Sequence, residues 1–214
     1  MTRDATRTVL LTGFGPFPGV PQNATGRLVP RLAERARRRF AGISFTTAIL
    51  PTEWDRGPRQ LARHLGRGPF AVALHFGVSQ QARGFVIETR GRNACRPSPD
   101  AAGRSPPRPR IDAEGPTERP VNLPVARIVE RLAALELPVA TSDDAGGYLC
   151  NAVLYHSLAL AETGTGAALT GFVHVPVDLA APGASLTLDQ AIHGGLEIIA
   201  ACLDAAATAA NRTT

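Results

Sequence analysis

The residue types that can do chemistry gather in one short run, Asp144-Ala145-Gly146-Gly147-Tyr148-Leu149-Cys150-Asn151. A cysteine follows a glycine pair and opens an apolar stretch of helical period, with Val153, Leu154 and Leu158 to follow. The head of a helix concentrates unpaired N–H groups and the positive end of the macrodipole, which favours a thiolate and can donate to an oxyanion. Cys150 is therefore the candidate nucleophile. A second run, Gly171-Phe172-Val173-His174-Val175-Pro176, puts a histidine in a β-type apolar segment near the expected carboxyl end of a strand, where open α/β sheets build their sites. Cys150 lies at the strand-to-helix turn before it, so two consecutive strand ends are expected to bring thiol and imidazole together. A Cys–His pair needs a third polar group to orient the imidazole, and Glu88, a carboxylate inside Phe85-Val86-Ile87-Glu88-Thr89, is the candidate. Its competing assignment is a structural pair with Arg90 or Arg92.

Other polar residues carry weaker signals. Cys202 falls in a terminal amphipathic pattern and Cys95 in a Pro/Arg-rich stretch, positions that suit core filler and an incidental thiol. His64, His75, His156 and His193 have ordinary structural explanations. No HxxxH or CxxC spacing occurs, so no metal is expected. The loop Gly13-Phe14-Gly15-Pro16-Phe17-Pro18-Gly19 lacks both GxGxxG and a phosphate-binding lysine; its aromatic and proline content suits an apolar pocket rather than a nucleotide.

These groups must be positioned by a fold. The 214 residues, 44% hydrophobic and 19% charged, suit one large domain with a buried core. Apolar β-type runs alternate with helical periods, which predicts an α/β fold: a single-domain three-layer α/β/α sandwich, spanning residues 1–214, with a mostly parallel mixed central sheet flanked by helices. Strands are predicted at Thr8 to Thr12, Ile43 to Leu50, Pro69 to Phe76, Gly84 to Arg92, Pro138 to Thr141 and Ala168 to Val175. Helices are predicted from Asn23 or Thr25 to Arg39, Pro51 to His64, Asn122 to Leu135, Tyr148 to Ala161, and from near Thr187 onward, with fraying at Asn211 to Thr214. Asn93 to Glu118 has repeated Pro, Gly and Arg without period, so residues 94–118 read as one long loop, functional or mobile.

The formal charge of +5 comes from 23 arginines and no lysine, a bias of composition rather than a phosphate-binding design. The clusters Arg35 to Arg39 and Arg104 to Arg110 lack interleaved aromatics, and no nucleic-acid partner is expected. Three cysteines without framework spacing, a polar Met1 to Ala5 and a short Val9 to Leu11 run point to a cytoplasmic protein without a membrane partner.

Four ordered blocks resemble the pyroglutamyl peptidase I family, cysteine peptidases also called pyrrolidone-carboxylate peptidases. They are Leu10-Leu11-Thr12-Gly13-Phe14-Gly15-Pro16-Phe17 with Asn23; His75-Phe76-Gly77-Val78 with Ile87-Glu88 and Asn93; Ala145 to Asn151; and Gly171 to Pro176. The resemblance implies Cys150 as nucleophile, His174 as base then acid, and Glu88 orienting His174. It also implies a substrate wall from Phe14, Phe17, Asn23, Tyr148 and Leu149, and Arg96 in the place of an arginine that helps stabilise the oxyanion. It further implies peptides with N-terminal pyroglutamate as substrates, no cofactor, and homo-oligomers, dimers or tetramers. The chain departs from the family pattern at Thr89, where the family has arginine, at Gly15, and across Asn93 to Gly103, which is one residue shorter; an aromatic pair is missing around Arg119-Pro120. Two alternatives stand beside this reading: a related amidase for another small cyclic acyl group, and a non-catalytic scaffold that keeps the fold.

Overall fold

The computed structural model describes residues 8–211; the polar start at Met1 to Ala5 lies outside them, and of the Asn211 to Thr214 end expected to fray, Asn211 closes the last helix while 212–214 lie outside. The elements run β1 (Thr8–Phe14), α1 (Ala24–Arg39), β2 (Ser44–Leu50), α2 (Arg56–Leu65), β3 (Phe70–Ser79), β4 (Phe85–Glu88), β5 (Arg90–Arg92), β6 (Glu118–Pro120), α3 (Val125–Ala134), β7 (Val139–Ser142), α4 (Leu149–Glu162), β8 (Ala167–Pro176) and α5 (Leu188–Asn211). Six strands form one sheet in the order β2-β1-β3-β8-β4-β7. The neighbours β2, β1, β3 and β8 are parallel, β4 runs antiparallel to β8, and β7 is parallel to β4. Helices α1, α3 and α5 pack together on one face, and α2 with α4 on the other. The expected three-layer α/β/α arrangement with a mixed sheet is what forms.

The central strands β1 and β3 are buried at nearly every position, which is why they read as continuous apolar runs rather than alternating ones. Asn23 caps α1 by accepting from the Thr25 backbone N–H at 3.1 Å. Helix α5, 24 residues with an 18-residue stretch of mean hydropathy 1.3, is long and apolar enough to cross a membrane by length and composition. Its apolar residues instead pack on α1, α3 and the sheet, while Glu197 pairs with Arg39 and Arg131, and Asp204 with Arg127 and Arg131. It is a core helix.

Three expectations need correction. The run Gly84 to Arg92 is not one strand: β4 joins the main sheet, and after Thr89 the chain enters a separate two-stranded ribbon in which β5 pairs with β6. The expected loop therefore ends at Thr117, one residue earlier, because Glu118 already pairs with Arg92. Third, Cys150 does not reach His174 by sharing a strand end. β7 runs antiparallel to β8, so its carboxyl end points the other way. Cys150 arrives because residues 143–148 turn back and α4, which leads directly into β8 and packs on it, sets its head over that strand's carboxyl end.

Candidate active site

Tyr148 is the N-cap of α4, extended and without a side-chain capping bond, so Cys150 sits in the first turn of a helix whose leading N–H groups no capping side chain consumes. Two glycines make this turn possible. Gly146 has φ +81°, a left-handed conformation that strains any residue with a Cβ. A Cβ on Gly147 would come within 2.3 Å of Arg96 Cγ. Below the thiol lies Gly77 of β3, where an added Cβ would stand 2.8 Å from Cys150 Sγ. The half-buried thiol thus fills space that the sheet leaves open.

His174 lies beside Gly77 in the parallel register of β3 and β8, and opposite Val86 in the antiparallel register of β8 and β4. Glu88, two residues past Val86, shares its face and hydrogen-bonds His174 Nδ1 through Oε1 at 2.8 Å. Both side chains are buried, Glu88 at 1% exposure and His174 at 6%. Burial opposes charge on the imidazole, but the nearby Cys150 sulfur and the Glu88 carboxylate outweigh that penalty and push its pKa up to about 9. Burial pushes the Cys95 thiol up, and the Cys202 thiol up to about 12.

A cleft of about 690 Å³ opens over this pair, with Phe14, Phe17, Tyr148 and Arg96 among its walls. The Phe17 and Tyr148 rings meet at 5.7 Å, and Trp54 packs edge-on behind Tyr148 at 5.4 Å. Asn23 also borders the cleft, but its amide is committed to the fold: Oδ1 accepts from Thr25 N–H and O–H, and Nδ2 donates to Gly15 O at 3.1 Å. With Thr52 Oγ1 donating to the same carbonyl, it stiffens the loop that presents the two phenylalanines. Leu149 is a correction. Its side chain is fully buried in the α2–α4 core, against Leu10, Phe14 and Val153, and does not line the cleft.

The long loop is built rather than loose. Asp100, 1% exposed, accepts from the backbone N–H groups of Trp54, Ala102 and Arg104. Burial opposes its charge, but those bonds and the Arg104 guanidinium hold its carboxyl below the usual range. Trp54 Nε1 donates to Ser98 O and Tyr148 O–H to Pro99 O. Burial, with the Asp100 and Cys150 charges, pushes the Tyr148 phenol up to about 12, so it remains a donor. The sequence reading missed Trp54, Asp100 and Asn151. The only tryptophan in the chain and an acid inside an apolar-neutral stretch were the available signals.

A family model for pyroglutamyl peptidase matches residues 7–212. The chain belongs to the pyroglutamyl peptidase family. A pyrrolidone-carboxylate peptidase of Chromobacterium violaceum is 32% identical over 192 residues, covering 87% of this chain and 88% of that one. One from Deinococcus radiodurans is 32% identical over 81% of this chain and 79% of its own. Among solved structures, the pyrrolidone carboxyl peptidase of Pyrococcus furiosus superposes with TM-score 0.82 at 26% identity, covering 93% of this chain and 99% of that one. Pyroglutamyl peptidase I of Bacillus amyloliquefaciens gives 0.79 at 26% identity, covering 92% and 97%. The match runs through all four sequence blocks, so this pyroglutamyl peptidase family member keeps the family fold over nearly its whole length.

Proposed function

We propose that the protein is a cysteine exopeptidase that removes an N-terminal pyroglutamyl (5-oxoprolyl) residue from peptides, with Cys150 as nucleophile, His174 as acid and base, and Glu88 as the group that orients His174. The observation that carries this reading is the convergence of the Cys150 sulfur, the His174 imidazole and the Glu88 carboxylate in a cleft walled by Phe14, Phe17 and Tyr148. Family membership and the names of the relatives point the same way.

The steps follow from the geometry. The Cys150 thiolate attacks the pyroglutamyl carbonyl carbon, forming a C–S bond and moving the C=O pair onto oxygen. The N–H groups at the head of α4 and the Arg96 guanidinium stabilise that oxyanion. Collapse breaks the C–N bond, and His174 gives its proton to the departing amine. His174 then takes a proton from water, which cleaves the thioester and frees pyroglutamic acid. The aromatic wall holds the flat lactam. A free amino-terminal residue would have to desolvate an ammonium there, which disfavours it. The three free cysteines suit a reducing compartment, and we assign the enzyme to the cytoplasm.

The test is hydrolysis of pyroglutamyl-aminomethylcoumarin under reducing conditions, beside prolyl- and glutamyl-aminomethylcoumarin. The wild type is expected to cleave only the first, and Cys150→Ser to lose at least about a thousandfold in kcat. Equal rates for wild type and Cys150→Ser would overturn the assignment.

A further inference from the structure

Asn151 follows the nucleophile directly, is fully buried, and uses both ends of its amide. Its Oδ1 accepts from Arg92 N–H at 2.8 Å, while Nδ2 donates to Arg92 O at 2.7 Å and to Ala94 O at 3.0 Å. The first two bonds imitate a rung of an antiparallel β ladder, with a side-chain amide in place of a strand. The third extends the hold two residues along the chain towards Arg96. From the other side of Cys150, Gly147 O accepts the Arg96 backbone N–H at 2.8 Å, and the absent Cβ of Gly147 makes room for the Arg96 side chain. Gly91 lets β5 come this close: a Cβ there would stand 3.0 Å from the Tyr155 backbone of α4.

We infer that Asn151 is a positioning residue that acts through Arg96, tying the loop that carries this guanidinium to the same helix turn that carries the nucleophile. The inference rests on the proposed peptidase reading, in which Arg96 faces the developing oxyanion. A fixed distance between nucleophile and cation matters because electrostatic stabilisation works only where the donor is already in place when charge develops. Nothing but an uncharged carboxamide meets the local demand. An aspartate would set a negative charge against two carbonyls, and a leucine would leave Arg92 N–H and two carbonyls unpaired.

A double-mutant cycle separates this from a merely structural role. With pyroglutamyl-aminomethylcoumarin, Asn151→Ala is expected to lower kcat about 10- to 30-fold with KM within about twofold, and Arg96→Ala to lower kcat about a hundredfold. In the Arg96→Ala background, adding Asn151→Ala should cost less than about threefold more. The rate of Cys150 alkylation by iodoacetamide at pH 7 should stay within about twofold of wild type in Asn151→Ala, since the thiol and His174 are untouched. Gly147→Ala supplies an independent route should Asn151→Ala not fold: its Cβ displaces the Arg96 side chain and should reproduce the kcat loss with Asn151 intact. Additive losses in the cycle, or a parallel fall in alkylation rate, overturn the inference while leaving the peptidase assignment standing. Loss of all difference between wild type and Cys150→Ser strikes the underlying reading instead.

Discussion

Two histidines flank one phenylalanine on the α4 side of the sheet, and their fates are opposite. His75 of β3 and His174 of β8 lie 6.4 Å and 4.8 Å from the Phe172 ring, centroid to centroid, and both are buried. Burial alone pushes His75 down to about 3, whereas His174 is pushed up to about 9. Their partners make the difference. His75 Nδ1 meets Thr12 Oγ1 at 2.8 Å and Nε2 meets Ser157 Oγ at 2.9 Å, two neutral hydroxyls that complete its hydrogen bonds without rewarding a charge. His174 faces a carboxylate and a sulfur. Equal burial therefore yields a neutral structural clamp in one strand and, in the next, the group proposed as acid and base.

The largest expected separation is catalytic. His174→Gln should lower kcat/KM for pyroglutamyl-aminomethylcoumarin by about a thousandfold or more, and His75→Gln by less than about tenfold, in steady-state assays. Comparable losses would erase the distinction. Next in size is Glu88→Gln, which removes the charge that supports the imidazolium and offers the amide in its place. We expect kcat to fall on the order of 10²- to 10⁴-fold, and the pH profile of Cys150 alkylation to report a His174 pKa moved down towards 6.5.

Stability against pH sharpens the contrast further, because the two shifts have opposite signs. His174 has a folded pKa above its ordinary 6.5, so its contribution is complete below 6.5 and is lost as pH rises towards about 9. His75 has a folded pKa below 6.5, so no penalty applies above that value; as pH falls from 6.5 towards about 3, the unfolded chain takes up the proton that the folded chain refuses. Each limb has a slope of at most about 1.4 kcal/mol per pH unit. Urea denaturation from pH 4 to 9 should show His75→Gln flattening the acid limb and His174→Gln the alkaline one. The smallest effect belongs to the ring between them: Phe172→Leu should cost about 1 to 2 kcal/mol and less than about tenfold in kcat, since it loosens packing but removes no charge.

Much of this contrast was legible in the chain. Thr8 to Thr12 and Pro69 to Phe76 announce strands by their apolar character, and Asn23 or Thr25 announces the head of α1. Glu88 and His174 stand out as polar residues in apolar runs. What the chain conceals is non-local. His75 and His174 share the same local signature, a histidine among valines, leucines and phenylalanines, and only the register of β3, β8 and β4 gives one of them a carboxylate. The direction of β7 is likewise set by which strand pairs with it, so the sequence pattern misplaces the route by which Cys150 comes beside His174. The Pro/Arg-rich stretch lacks period and read as a loop, yet Asp100, Asn93 and Asn151 order it through bonds to distant backbone. Leu149 entered the substrate wall by resemblance and adjacency; its place on the inner side of α4's first turn puts it in the core.

The most direct test is titration of the histidine ring nitrogens by NMR in wild type, Glu88→Gln and Cys150→Ser. The imidazole assigned to His174 should titrate near 9 in wild type and lower in both variants, while His75 stays neutral throughout pH 4 to 10. A wild-type His174 that titrates at or below 6.5, unmoved by either substitution, would contradict the account.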